Sequence, residues 1–153
     1  MEEFFMELTQ EEIQWLYRNL RSVDFFADAN VDDIDLLLRT QVHKYSYKKG
    51  QKICKQGTPG DAFFMIYKGK VSVTVSKGLF QKTKVTELGP GQFFGEMALI
   101  SNEPRTATVI ADEWTECFAI LKFDFNMFVS DKPLFAQKVR SATAQRKFEL
   151  QQK

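Results

Sequence analysis

At 153 residues and 44% hydrophobic content, the chain is the size of one domain and long enough to bury a core. Its 21 basic and 20 acidic side chains leave a net charge of +1, so nothing draws the protein as a whole to nucleic acid or an anionic membrane. Two cysteines, Cys54 and Cys117, have no CxxC spacing and only His43 beside them, which argues against zinc and for two reduced, buried thiols.

The N-terminal flank reads as helical. In LTQEEIQWLYRNL, Thr9 and Glu12 have capping-box spacing, and Ile13, Leu16 and Leu20 follow on one face. NVDDIDLLL repeats the pattern with Asn30 as cap and Ile34, Leu37 and Leu38 as the buried stripe. All eight glycines then fall between Gly50 and Gly95, where they can supply turns. Within that block VSVTVS alternates strictly, with Val71, Val73 and Val75 on one face of a half-buried strand. HKYSYKKGQKIC, AFFMIYKG, KVTELGPG, TATVIA and ECFAILK read as further short strands, spaced by turns such as Thr58-Pro59-Gly60-Asp61. This rhythm predicts a small antiparallel barrel or jelly roll. After it, Asp124 is placed to cap a helix carrying Phe125, Phe128 and Val129, and Pro133 opens another with Phe135, Val139 and Ala142 on one face. The fold class is α+β, mainly β.

The stretch FFGEMALISNEPRTATV, residues 93–109, leaves the Gly89-Pro90-Gly91 turn and enters the strand TATVIA, so it is a connection inside the barrel. Gly95 permits close approach of a ligand to backbone, and EMAL suits a single helical turn whose free N–H groups face an anion. Arg105 adds a permanent cation with a planar fork suited to two phosphate oxygens, and ionised Glu96 can only accept hydrogen bonds. Ala98 and Ala107 leave room, and Thr106 offers a hydroxyl. A monoanion with a neighbouring hydroxyl fits this inventory, and a 3′,5′-cyclic nucleotide is one.

FGEMALISNEPRTATV resembles the phosphate-binding cassette of the cyclic nucleotide-binding domain family, which includes the bacterial catabolite activator, regulatory subunits of cAMP-dependent kinase and cyclic-nucleotide-gated channels. Glycine-glutamate, Ala98-Leu99 and Pro104-Arg105-Thr106-Ala107 all stand in register. The resemblance covers residues 14–150 and implies an eight-stranded antiparallel β-roll flanked by N-terminal helices and two C-terminal helices. It implies one domain over 1–153, with 1–42 helical, 43–123 the roll with cassette 93–109, and 124–153 the C-terminal helices. By position it gives Glu96 the ribose 2′-hydroxyl and Arg105 the cyclic phosphate. Gly95, Met97 and Ala98 lend backbone to the ribose phosphate, and Thr106 and Ala107 complete the cradle. Arg146, continuing the Phe135, Val139, Ala142 face, is assigned to the helix that closes over the base. Outside such a cassette, a glutamate and an arginine nine positions apart are ordinarily a solvated ion pair, and Arg146, among Gln145, Lys147, Gln151, Gln152 and Lys153, reads by its surroundings as a surface arginine on a terminal helix. Lys44, Lys48, Lys49, Lys52 and Lys55 read as a solvated face.

Three functional classes follow. The first is a sensor that binds cyclic nucleotide and shifts its C-terminal helices to bias an effector. The second is a phosphodiesterase, opposed by the single histidine and the absence of clustered carboxylates near Arg105. The third is a DNA-binding regulator of the catabolite-activator kind, but Lys153 follows soon after the last predicted helix and this chain alone carries no nucleic-acid reader. No cofactor, metal or enzymatic activity is expected. Nor is a membrane segment, since no apolar run approaches the roughly 18 residues of a span. The default address is the cytoplasm, and dimerisation would use the terminal helices. In the family, a threonine at the position of Thr106 often accompanies guanine recognition, although channels with it still prefer cAMP. The last helix lacks an aspartate to pair with guanine, which favours cAMP over cGMP.

Overall fold

Thr9 opens the first helix as the sequence predicts. Its hydroxyl accepts from the Glu12 N–H at 3.1 Å while its own N–H donates to the Glu12 carboxylate at 2.9 Å, closing a reciprocal capping box. The structure, a computed structural model, describes residues 2–4, 8–27, 29–79 and 81–151, with backbone alone for 2–4, 24–25, 142–143 and 145–151. Helices α1 (Gln10–Leu20), α2 (Asp24–Ala27) and α3 (Val31–Gln41) occupy the N-terminal flank, with Asn30 accepting from the Asp32 N–H at 2.7 Å as the cap of α3. The faces carrying Ile13, Leu16 and Leu20 and Ile34, Leu37 and Leu38 are buried, as their spacing requires.

Among the described residues nine strands form two antiparallel sheets: β1 (Glu2–Phe4), β2 (Val42–Tyr47), β3 (Lys52–Cys54), β4 (Ala62–Lys68), β5 (Val71–Lys77), β6 (Gln81–Leu88), β7 (Phe93–Phe94), β8 (Thr108–Ala111) and β9 (Thr115–Leu121). One sheet has the order β1-β2-β9-β4-β7 and the other β3-β8-β5-β6. The eight strands β2 to β9 make the expected roll, and its core includes Tyr47, Cys54, Ile66, Val71 and Cys117. Strand β1, which lies in the flank expected to be helical, pairs with β2. HKYSYKKGQKIC forms two strands rather than one, because Gly50 at φ 87 turns the chain between them.

Two helices follow the roll, α4 (Lys122–Val129) and α5 (Pro133–Gln151). Asp124 does not cap α4. The helix starts two residues earlier, straight from β9, and Asp124 sits in its first turn, where a carboxylate still favours the dipole. Pro133 opens α5 as expected, and Phe135 and Val139 are buried. The side chains of Ala142 and Arg146 lie outside the described residues. The chain divides into two compact units, Met1–Phe5 with His43–Lys122 and Met6–Val42 with Phe123–Lys153. In the second, Phe26 packs edge-on against Phe125 at 6.1 Å and beside Phe135 at 6.1 Å. Among the described residues no helix is long and apolar enough to cross a membrane.

Strand β5 pairs with β8 only from Val71 to Thr74, whereas its pairing with β6 runs on to Lys77. Past the end of β8, Gln56 replaces the missing neighbour. Its carboxamide accepts from the Ser76 N–H at 2.8 Å and donates to the Ser76 carbonyl at 3.2 Å.

Candidate functional site

The segment between β7 and β8 is built on one glycine. Gly95 adopts φ 79 and ψ 18, a left-handed conformation open to glycine at no steric cost, and caps a short 3-10 helix, Glu96–Leu99. EMAL therefore forms the single turn that its composition predicts. The Ala98 N–H donates back to the Gly95 carbonyl at 3.0 Å, and the Met97 carbonyl accepts from Ile100 and Ser101 at 3.2 and 2.9 Å. Glu96 and Met97 are half-buried and Ala98 is buried. By the geometry of a 3-10 turn, the first N–H groups have no partner within it.

Arg105 lies against this turn. Its backbone is pinned to the loop after β3, with its N–H on the Thr58 carbonyl at 2.7 Å and its carbonyl accepting from Gly57 at 2.8 Å. Its side chain is only 9% exposed. Nη2 donates to the Ala62 carbonyl at 2.8 Å and to Asp61 Oδ1 at 3.3 Å. The guanidinium carbon stands 6.0 Å from the centroid of Phe64, whose other neighbour, Phe94, is stacked at 5.1 Å. A buried cation costs free energy unless it is paired, and the carbonyl, the carboxylate and the ring face supply that compensation.

A Cβ on Gly95 would strike Nη1 of Arg105 and come within 2.9 Å of the Ala62 carbonyl oxygen. A Cβ on Gly60 would come within 2.9 Å of the Ala98 Cβ. The small residues thus also serve the packing of the protein itself. At Gly95 and Ala98 the space is taken by the protein itself, which lets the guanidinium and the 55–61 loop close onto the turn. Thr106 is exposed and Ala107 half-buried, both just before β8.

Several participants escape a reading by spacing. Asp61, Ala62 and Phe64 lie more than 40 residues before Arg105, and Gly60-Asp61 reads locally as nothing more than a turn. Lys122 Nζ donates to the Ser101 carbonyl and to Asn102 Oδ1, both at 2.7 Å, and its N–H donates to the Asp61 carbonyl at 2.8 Å. It ties the far end of the cassette to the Asp61 corner. Near by, burial pushes the thiol of Cys54 up to about 11 and that of Cys117 up to about 12, so both stay protonated at neutral pH. Both are free and buried. Among the described residues no three His, Cys, Asp or Glu side chains gather as a metal set.

A half-buried carboxylate, a confined guanidinium and a left-handed glycine opening a short turn are one arrangement, and it coincides with the part of the chain that known families match. The family model for the cyclic nucleotide-binding domain matches residues 44–132, more than half of the chain. The chain belongs to the cyclic nucleotide-binding domain family. This cyclic nucleotide-binding domain is 42% identical over 98 residues to a cyclic nucleotide-gated potassium channel of Mesorhizobium japonicum, an alignment covering 64% of this chain and 26% of the channel. It is 39% identical over 116 residues to human cGMP-dependent protein kinase 2, covering 74% of this chain and 15% of the kinase. The crystal structure of the Thermus thermophilus catabolite activator protein superposes with a TM-score of 0.67 at 30% identity, covering 84% of this chain and 60% of that one. The chain thus spans about a quarter of the channel and less of the kinase.

Proposed function

We propose that this cyclic nucleotide-binding domain is a sensor that takes cAMP into the cassette of residues 93–109 and passes occupancy to its C-terminal helices. The observation that carries the reading is the confined guanidinium of Arg105. Nη2 is engaged by Ala62 and Asp61, and among the described residues nothing else accepts from the fork. A nearly buried cation with donors to spare, beside the start of a 3-10 turn, is a site for an oxyanion. In this reading Arg105 and the backbone of Gly95, Met97 and Ala98 hold the cyclic phosphate, and Glu96 accepts from the ribose 2′-hydroxyl. Thr106 and Ala107 close the cradle, and Arg146 on α5 covers the base. Residues 1–153 then act as one cytoplasmic domain that biases a separate effector. A catabolite-activator kind of output, in which the effector reads DNA, draws support from the 30% identity to the Thermus thermophilus protein.

Calorimetric titration with cAMP and with cGMP tests the reading. At a ligand concentration about 100 times Kd, linkage stabilises the fold by about 2.7 kcal/mol. Arg105→Ala is expected to weaken binding at least about a hundredfold, roughly 2.7 kcal/mol. Neither heat nor a melting shift with either nucleotide would refute the proposal. Cyclic nucleotide incubated with the protein and magnesium, manganese or zinc is expected back intact, because among the described residues no three His, Cys, Asp or Glu side chains gather to hold a metal that would activate water.

A further inference from the structure

The outer half of the β5–β6 hairpin outruns its sheet. Pairing with β8 stops at Thr74, but the hairpin continues to Lys77 opposite Gln81. An extra residue, Val85, breaks the register between the Val73–Thr86 and Thr74–Lys84 pairs, a bulge that bends the strand. From Gln81 to Glu87 every residue of β6 is exposed. At the tip, Gly78 takes φ 75 and Leu79 is 92% exposed.

The charge around that tip has one sign. From Val71 to Thr86 the chain holds Lys77, Lys82 and Lys84 and no acid. Glu87, at the base, is already held by Lys84 and by Lys70 at 3.2 Å. Lys77 and Lys82 are exposed and make no ion pair among the described residues. Lys82 pairs with Ser76 and so shares its face, whereas Lys77, the next residue, points to the other face. Cations therefore flank the leucine on both sides of the arm.

We propose that this arm docks on an anionic lipid surface, with Leu79 entering the interface and Lys77 and Lys82 meeting the headgroups. A rise of about 3.4 Å per residue puts these lysines within about 10 Å of the tip. That matches the roughly 5–10 Å depth to which interfacial apolar groups enter a bilayer. A nucleic-acid backbone would use the lysines and leave Leu79 in water, whereas a lipid interface accommodates both. Each lysine near an anionic leaflet adds attraction that salt screens.

Co-sedimentation of the full chain with phosphatidylcholine vesicles, with and without phosphatidylserine, tests this. Recruitment is expected only with phosphatidylserine and is expected to fall as salt rises. Combining Lys77→Glu with Lys82→Glu is expected to abolish it, and Leu79→Ser to weaken it roughly three- to tenfold, with unchanged melting temperatures. As a direct readout, Leu79→Cys carrying an environment-sensitive fluorophore is expected to shift to the blue on these vesicles, the two native thiols being buried. No recruitment, equal recruitment by neutral vesicles, or no blue shift would overturn the proposal. So would wild-type binding by Leu79→Ser together with full competition by a DNA duplex, the behaviour of a general polyanion site.

Discussion

Replacing Gly50, Gly60 and Gly95 by alanine, one at a time, separates backbone strain from close approach. Gly50 has φ 87 and open space where a Cβ would stand, so Gly50→Ala meets strain alone, roughly 1–2 kcal/mol. Gly60→Ala brings a Cβ to 2.9 Å from the Ala98 Cβ and 3.3 Å from its Cα without a positive φ, an overpacking cost of about 1–3 kcal/mol. Gly95→Ala incurs both, with φ 79, the Ala62 carbonyl oxygen at 2.9 Å and the guanidinium in the way, for roughly 2–5 kcal/mol. At about 2–4 °C per kcal/mol for a domain this size, thermal denaturation followed by circular dichroism resolves the series. Titration of the same variants adds the functional half. Gly50→Ala is expected to leave nucleotide affinity intact, while Gly95→Ala displaces the guanidinium and lowers affinity at least about tenfold, or 1.4 kcal/mol. If Gly95→Ala proved as mild as Gly50→Ala in both assays, the guanidinium would not be confined by that glycine and the account of the cassette would fail.

A 2′-deoxy cyclic nucleotide is expected to bind the wild type more weakly by roughly 1–3 kcal/mol, and to bind Glu96→Gln nearly as it binds wild type. Equal wild-type affinity for both ligands would remove Glu96 from the ribose. Because Cys54 and Cys117 titrate near 11 and 12 in the fold against 9.0 when exposed, they favour the native state below about pH 9. That advantage is expected to fall away as the pH rises from 9 through 11 to 12, readable as a falling melting temperature that Cys117→Ala flattens. Lys122→Met removes a charge-assisted link to Ser101 and Asn102, and a loss of about 1–3 kcal/mol is expected in urea denaturation.

The parts of the fold legible in the sequence are those that local chemistry decides. Thr9 and Glu12 bond each other three residues apart, and the Val71 and Val73 face follows from alternation. The turn at Glu96–Leu99 is legible for the same reason. The elements that were missed are short: α2 has four residues, β1 three and β7 two, too few for any period to register. Strand β6 is exposed on both faces, so no alternation marks its true length. Within the site, Arg105 and Glu96 announce themselves by type, but the guanidinium is oriented by Ala62, Asp61 and Phe64. Those partners meet it only through the return of the chain between sheets, and sequence spacing carries no trace of that meeting.

The bond pair from Gln56 to Ser76 sets a chemical lifetime on that edge of the roll. A carboxamide carries a donor and an acceptor side by side and so imitates the peptide group of an absent strand. Deamidation of Gln56 to glutamate would keep the acceptor for the Ser76 N–H and lose the donor, turning a carboxylate toward the Ser76 carbonyl. The freed carbonyl would then be an open position at which a strand of another molecule can add. Hydrolysis of one half-buried side chain would thus convert a closed sheet margin into a seed for self-association during ageing.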